Sequence, residues 1–444
     1  MTKGSSLGIL GDKGGCVHVP GSILLICPDT EITQQDGLKK SKGQDGVILD
    51  PQPDDTRSDP LNWPTWRREC ALLAVGFYSL LGGGQAPILA AGFPNVAQTY
   101  RITSSEVAFT TAAFVAGLAI GVITISPFAS MYGKRPLFLA GAVIFCASSA
   151  WAAASPSYAS LTVARVVMGI GVSPCECLAS AYLAEIFFLH ERGFRLGIYT
   201  LLLLGGKNLV PLLSGAIIQG LGWRWVFWIM TALSGALVFL VLLFVPEACW
   251  FRGVKLLHSI PAPSELSELD NPKPHILVYE GSNGSDTGIS EEKDPATPTE
   301  NEKATTTTPS LVQRSPPQLF ILKYTQHGPQ TSFKSQLSIY SGRIQQGSYI
   351  RALARPMILL TYPAILWSTV VYALSVLWLI IMSESVAHIY QHRPYHFTRL
   401  QTGLVYTAPF VGGILGSAPA GKISDLIVRY MAEKNGGVYE PYVS

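Results

Sequence analysis

Charge is what this chain has least of. Only 14% of its 444 residues are Asp, Glu, Lys or Arg, against about a quarter in a typical soluble domain. With 48% hydrophobic residues and a mean hydropathy of +0.31, that deficit argues for a chain that spends much of its length in lipid. The net charge of +3 is too small to call for a nucleic-acid partner, and none is expected. The seven cysteines lack metal-ligand spacing. Cys175 and Cys177 lie inside an apolar run and read as packed thiols, so no metal site is expected. No Gly-rich loop ends in Lys-Ser or Lys-Thr, which argues against ATP-driven pumping. Ser, His and Asp occur without a nucleophile elbow, no cofactor is implied, and the chain does not read as an enzyme. Residues 1–60 hold no short apolar core before a cleavage site, so no signal peptide is expected.

What the chain does have is apolar runs of about 20 residues, the length that crosses a bilayer core of about 30 Å. Eight are expected, in a six-plus-two pattern: Cys70 to Phe93, Glu106 to Ala129, Pro136 to Ala154, Ala159 to Ala184, Leu196 to Ile218, Arg224 to Val245, Met357 to Met382, and Gln401 to Gly421. This is the pattern of an all-α polytopic membrane protein. A cytosolic tail, residues 1–69, precedes a six-helix bundle over 70–245. The tail closes on Asp59-Pro60-Leu61-Asn62-Trp63-Pro64 and Trp66-Arg67-Arg68, which suit the headgroup level. Residues 246–354, rich in Pro, Ser, Thr and charge, cannot bury enough apolar surface to offset their ordering entropy and are expected to be a disordered cytosolic loop. Two further spans form a partial second bundle over 355–444. Placing the N-terminus in the cytosol puts Arg67, Arg68, Lys134, Arg135, Arg192, Arg195, Arg252, Lys255, Arg351, Arg355, Lys422 and Arg429 inside. Arg101, Arg224, Arg393 and Arg399 fall outside, so the basic bias sets the orientation.

A charged side chain in lipid must find a partner or water, so the intramembrane charges are the candidates for chemistry. Arg165 and Glu176 lie in span four, Lys207 in span five, and Glu185 at the inner end of span four. Eleven residues separate Arg165 from Glu176. That is close to three helical turns, so they share a face about 16 Å apart and cannot pair directly. Arg165 reads either as a structural ion-pair member or as part of a coupling device. Glu176 reads either as a titrating proton carrier or as a fixed partner for Lys207. Lys207, Gln85 and Tyr372 are candidates for lining a substrate cavity. Gly117 with Gly121, and Gly412 with Gly416, form small faces that permit close helix contact.

Two signatures recur at matching places in the two halves: Ser126-Pro127-Phe128-Ala129-Ser130-Met131-Tyr132-Gly133-Lys134-Arg135-Pro136, and Gly421-Lys422-Ile423-Ser424-Asp425 with Arg429 beyond. Span four carries Arg165, Gly169, Gly171 and Pro174; span five offers Gly206, Pro211 and Gly215. With the Asp59-to-Trp63 opening and the long central loop, the chain resembles the major facilitator superfamily, and within it the fungal drug:proton antiporter group.

That resemblance implies two six-helix bundles that rock about a central cavity. It places Arg165 in the proton-coupling machinery. It makes Gly133, Lys134, Arg135, Gly421, Asp425 and Arg429 a loop signature that holds one conformational state by charge pairing. Gly206, Pro211 and Gly215 become an antiporter-like motif. The implied function is monomeric, proton-coupled export of a small organic molecule across the cell membrane. Proton-linked uptake of a small cation or nutrient is an alternative, with Lys207 weighing against a cation. Five departures stand out. Ser126 replaces Gly and Ser130 an acidic residue, weakening the first signature. Val210 and Ser214 stand where the antiporter motif has Gly, which should loosen its helix contact. The family continues through four more spans, so a chain ending at Ser444 is expected to be truncated, and a non-transporting remnant is a further reading.

Overall fold

The computed structural model describes residues 23–24, 39, 49–53, 59–249, 254–260, 319–324, 338, 342, 348–391, 395–434 and 438–439. The chain forms two compact units, residues 1–22 with 256–322, and residues 23–255 with 323–444. In the smaller unit the described residues come from two paired strands, Val254–Ile260 and Leu319–Tyr324. Of the expected disordered loop, 246–354, residues 246–249, 338, 342 and 348–354 are also described, the last of these opening a helix at Tyr349, and the rest fall outside the described residues.

The larger unit is helical, apart from a two-residue strand pair, Ile23–Leu24 with Val438–Tyr439. Its helices are α1 (Thr65–Gly83), α2 (Phe93–Tyr100), α3 (Ser104–Tyr132), α4 (Arg135–Ala153), α5 (Tyr158–Cys177), α6 (Ala179–Ile186), α7 (Leu189–Gly220) and α8 (Trp223–Phe244). After the central segment come α9 (Tyr349–Leu359), α10 (Pro363–Gln391), α11 (Arg399–Val405) and α12 (Thr407–Lys434). Among the described residues six helices are long and apolar enough to cross a membrane: α3, α4, the continuous pair α5–α6, α7, α8 and α10. The architecture is the all-α polytopic one read from the sequence.

Local chemistry sets the boundaries. α3 starts in a capping box: the Glu106 amide donates to Thr103 Oγ1 at 3.3 Å, and the Thr103 amide to Glu106 Oε2 at 2.7 Å. It stops at Gly133, whose φ of +91° lets the chain turn sharply into α4. Pro174 leaves the Ile170 carbonyl without its helical donor, and the Ser173 hydroxyl supplies one at 2.8 Å.

Three expected spans are corrected. Span one is not one helix from Cys70 to Phe93. α1 begins earlier, among Arg67, Arg68 and Glu69, and ends at Gly83; residues 84–89 unwind before a turn of 3-10 helix, Ala90–Gly92. Successive glycines and then Pro87 remove helix propensity and a backbone donor at one place. Span seven breaks at 360–362, because Pro363 disfavours helix in the residue before it, and α10 then runs on to Gln391. Span eight splits at Tyr406 into α11 and α12, three residues before Pro409.

The core of the larger unit sits among α1, α4, α5 and α6. The ring of Tyr78 lies 6.3 Å from Phe138 and 6.4 Å from Phe145, and Phe138 lies 5.7 Å from Tyr182. Their hydroxyls are bonded as well, Tyr78 to the Gly171 carbonyl and Tyr182 to the Pro246 carbonyl at 3.1 Å. α3 and α5 cross so closely at Gly117 that a Cβ there would collide with the Val166 carbonyl. Gly412 and Gly416, expected to form a similar face, have nothing packed against them among the described residues.

Candidate functional site

The unwinding after Gly83 builds the centre of the site. It frees the carbonyls of Gln85 and Ala86 from helical bonding, and Arg165 on α5 takes both. Nη1 donates to Gln85 O at 2.8 Å and Nη2 to Ala86 O at 3.2 Å. The guanidinium carbon stands 4.9 Å from the centre of the Phe114 ring on α3. Arg165 is fully buried. A planar fork between two carbonyls and an aromatic face is the arrangement in which a desolvated cation survives.

The pocket around it is polar and incompletely bonded. Gln85 is buried; its amide nitrogen donates to Leu81 O at 2.9 Å, while Oε1 has no partner. Arg165 Nε has none either. The Thr111 hydroxyl donates to Ala86 O across a long 3.4 Å. From the other half of the fold, α10 brings Glu384 to this place. Its carboxylate lies within electrostatic reach of Arg165 and beside Thr111. Both carboxylate oxygens are buried without a hydrogen-bond partner. Buried polar groups are almost always satisfied, so four such atoms in one pocket mark a place built for something other than stability.

The sequence reading missed Glu384, because it ended span seven at Met382. A signal was there: Glu384 is the only Asp, Glu, Lys or Arg from Pro363 to Gln391.

The other candidates are placed apart. Glu176 faces Lys207 at 4.0 Å, each side chain largely shielded. The pair belongs to α5 and α7 and does not include Arg165. Gln85 joins Arg165, whereas Tyr372 on α10 is 65% exposed. Of the three cavity candidates, then, one sits at the arginine, one in an ion pair, and one on the surface.

The two loop signatures behave differently. In the first, Lys134 Nζ pairs with Glu185 on α6 at 2.7 Å. The Lys134 and Arg135 amides donate to the carboxylate of Glu247 at 3.2 and 3.1 Å, and Arg135 Nη2 donates to Leu242 O at 2.9 Å. Glu185 and Leu242 lie in the first bundle and Glu247 two residues past its end, so none of these partners comes from the second half. Glu247, just beyond α8, was not among the sequence candidates. In the second, Asp425 places its carboxylate against Gly193 in the second turn of α7, and Gly421 packs on the Gly193 carbonyl. A carboxylate near a helix N-terminus meets the positive end of the helix dipole. This signature therefore crosses from one half of the fold to the other. Arg429 lies in α12, with its side chain outside the described residues.

The antiporter-like motif lies along α7 at two helix contacts. Gly206 faces the Leu80 carbonyl of α1, and Gly215 sits against α11, where a Cβ would come 2.8 Å from the Arg399 carbonyl. Pro211 lies between them and is buried. The looser contact expected from Val210 does not occur. Gly84 stands opposite Val210, so the missing side chain is on α1's end of the contact and the backbones still meet. Ser214 is buried with its hydroxyl donated to the Pro211 carbonyl at 2.9 Å, which accommodates the second departure.

Comparison with known proteins follows the same lines. An uncharacterized MFS-type transporter of Schizosaccharomyces pombe, C1271.10c, is 25% identical over 429 residues, 95% of this chain and 71% of that protein. The MFS antiporter QDR3 of Candida albicans is 23% identical over 443 residues, 88% of this chain and 62% of that one. The cycloheximide resistance protein of Candida maltosa is 28% identical over 217 residues, 47% of this chain and 39% of that protein. The Major Facilitator Superfamily profile matches residues 71–432. With that match across most of its length, and with its helices arranged as described, the chain belongs to the major facilitator superfamily, a family of membrane transporters.

Proposed function

We propose that this chain carries a small organic molecule, of the drug or fungal secondary-metabolite class, out of the cell in exchange for protons by alternating access. The observation that supports this reading most strongly is the Arg165 pocket. A fully buried cation is held by carbonyls of a broken helix and opposed by a carboxylate from the other half of the fold. Discontinuous helices that expose backbone carbonyls at a buried charge are the usual device of ion-coupled carriers. The names of two relatives, an antiporter and a resistance protein, agree with export. In this reading the protein resides in the cell membrane as a monomer with its N-terminus in the cytosol. The paired charges Lys134–Glu185 and Arg195–Glu69, the latter at 2.8 Å, then face the cytosol. Asp425 against α7 closes the cytosolic side between the halves.

Uptake of a small cation is the second reading, and one observation favours it. Lys207 is neutralised by Glu176, so its charge no longer opposes a cationic substrate.

One experiment tests both. The full chain is reconstituted in proteoliposomes with a pH step of either sign, and a panel of labelled lipophilic drugs and polyamines is followed. Substrate movement opposite to the proton gradient supports export by exchange, and movement with it supports uptake. No response of any substrate to either gradient overturns proton-coupled transport.

A further inference from the structure

We propose that Glu384 is the proton-exchanging group of this protein, and that Arg165 is the fixed cation against which it titrates. This rests on the transport reading and names the carrier within it, in a place where the sequence pointed to Glu176. The geometry separates the two carboxylates. Glu176 has a cation at 4.0 Å on the neighbouring helix. That carboxylate is the charge partner of Lys207, and removing its charge would strand the lysine. Glu384 has no such partner. Both of its oxygens are buried and accept no hydrogen bond, and no direct ion pair joins it to Arg165, although the charges interact.

The neighbours that face Glu384 complete the case. From α5 comes Arg165, whose two terminal nitrogens are committed to Gln85 O and Ala86 O while Nε is uncommitted. From α3 comes the Thr111 hydroxyl, held only by a 3.4 Å bond to Ala86 O and free to rotate toward the carboxylate. From the corner between α11 and α12 comes the Tyr406 phenol, which is bonded to the Ser383 carbonyl and so is not a donor to Glu384. The only fixed cation in this set is the arginine, and it is held by the first half of the fold. The carboxylate is held by α10 in the second. Any movement of one half on the other changes the distance between the two charges, and with it the free energy of the proton. That is a coupling device, since proton occupancy and conformation become functions of each other.

The step itself is simple. When the pocket opens to water on one side, a Glu384 oxygen forms an O–H bond with a proton delivered by hydronium, leaving a neutral carboxyl group and a water molecule. When the pocket opens on the other side, that O–H bond breaks and the proton returns to water, restoring the carboxylate opposite Arg165.

The test uses the full chain in nanodiscs and in proteoliposomes. Infrared difference spectra recorded on a pH step from about 6 to about 9, where ordinary carboxylates are already ionised, report a protonated-carboxyl carbonyl band of a desolvated group directly, without any need for transport. The native protein is expected to show such a band. Glu384→Gln is expected to lose it and Glu176→Gln to keep it, while Arg165→Gln displaces its midpoint because the attraction favouring the carboxylate is gone. In proteoliposomes Glu384→Gln is expected to lose gradient-driven accumulation. Retention of the band in Glu384→Gln overturns the assignment, as does pH-driven accumulation that survives this substitution. If the band behaves as expected but no variant, native included, moves substrate, the transport reading fails while the titrating group stands.

Discussion

The most direct test of the pocket's architecture is Arg165→Lys, a change that keeps the charge and removes the fork. Arg165 makes two charge-assisted hydrogen bonds, at 2.8 and 3.2 Å, to the carbonyls of successive residues, and lies over Phe114 at 4.9 Å. An ammonium group is a compact point charge on a flexible stem, and from the same Cα it satisfies one of these carbonyls well but not both. Losing one hydrogen bond to a charged group costs about 1.5–3 kcal/mol. Losing the guanidinium–ring contact adds about 1 kcal/mol. The expected loss is therefore about 2.5–4 kcal/mol, which in a helical unit of this size lowers the midpoint of thermal unfolding by about 3–5 °C. The measurement is thermal unfolding of the detergent-solubilised full chain, read by tryptophan fluorescence and by size exclusion after heating. Arg101→Lys, at an exposed arginine, is the control and should stay within about 0.5 kcal/mol of the native protein. If Arg165→Lys melts with the native chain, the carbonyl fork does not hold the broken helix, and the account of the pocket fails.

Three further outcomes are expected. Glu247→Ala leaves the amides of Lys134, Arg135 and Cys249 without the carboxylate that accepts from them at 3.1–3.2 Å; it should destabilise the fold by about 1–3 kcal/mol, and an unchanged melting curve would count against this carboxylate as the anchor of the first loop signature. Gly84→Ala should be poorly folded because its Cβ meets Val210, and Val210→Gly in the same chain should recover part of the loss, the carbonyl of Gly206 at 2.7 Å remaining in the way; strict additivity in a double-mutant cycle would refute the compensation. Cys249, outside the spans, has its thiol pushed up to about 12 by burial first and then by Glu185 and Glu247. A raised value keeps the thiol protonated, so at pH 8 only about one in ten thousand is thiolate. Peptide mapping after alkylation should find Cys249 unmodified in the native chain and modified after unfolding, and rapid native labelling would contradict this burial.

Much of the fold was legible because lipid imposes a strict rule on sequence. A spanning segment must satisfy its own backbone and shed its charge, so the length of the apolar run shows through. Spans two, three, four and six and the link between Gly133 and α4 are where the sequence placed them, within a few residues, whereas α7 begins seven residues before the expected start of span five. Span one was misread because α1 opens on charges and ends at glycines. Span seven was misread because Pro363 moved its start. Its end was misread as well: stopping at Met382 left Glu384 outside the membrane reading, although no other Asp, Glu, Lys or Arg occurs in α10. Glu247 was missed for a different reason. Nothing in the residues after α8 says that a carboxylate there will fold back on amides more than a hundred positions earlier.

The residues alone determined the class of the molecule: its helices, its poverty in charge, its paired loop signatures and its buried Arg165. These are local or periodic properties, fixed by transfer free energies and backbone propensity, and they need no knowledge of what lies across the bundle. Which charges meet was decided only by the tertiary structure. Glu176 and Lys207 could be drawn together on paper, but Arg165 stood open between an ion pair and a coupling role until helix crossing and the unwound turn after Gly83 assigned it to two carbonyls and to Glu384. Electrostatic interaction depends on distances of a few ångströms between groups far apart in the chain. Those distances come from packing, as at Gly117 and Gly84, where the absence of a side chain lets two backbones close.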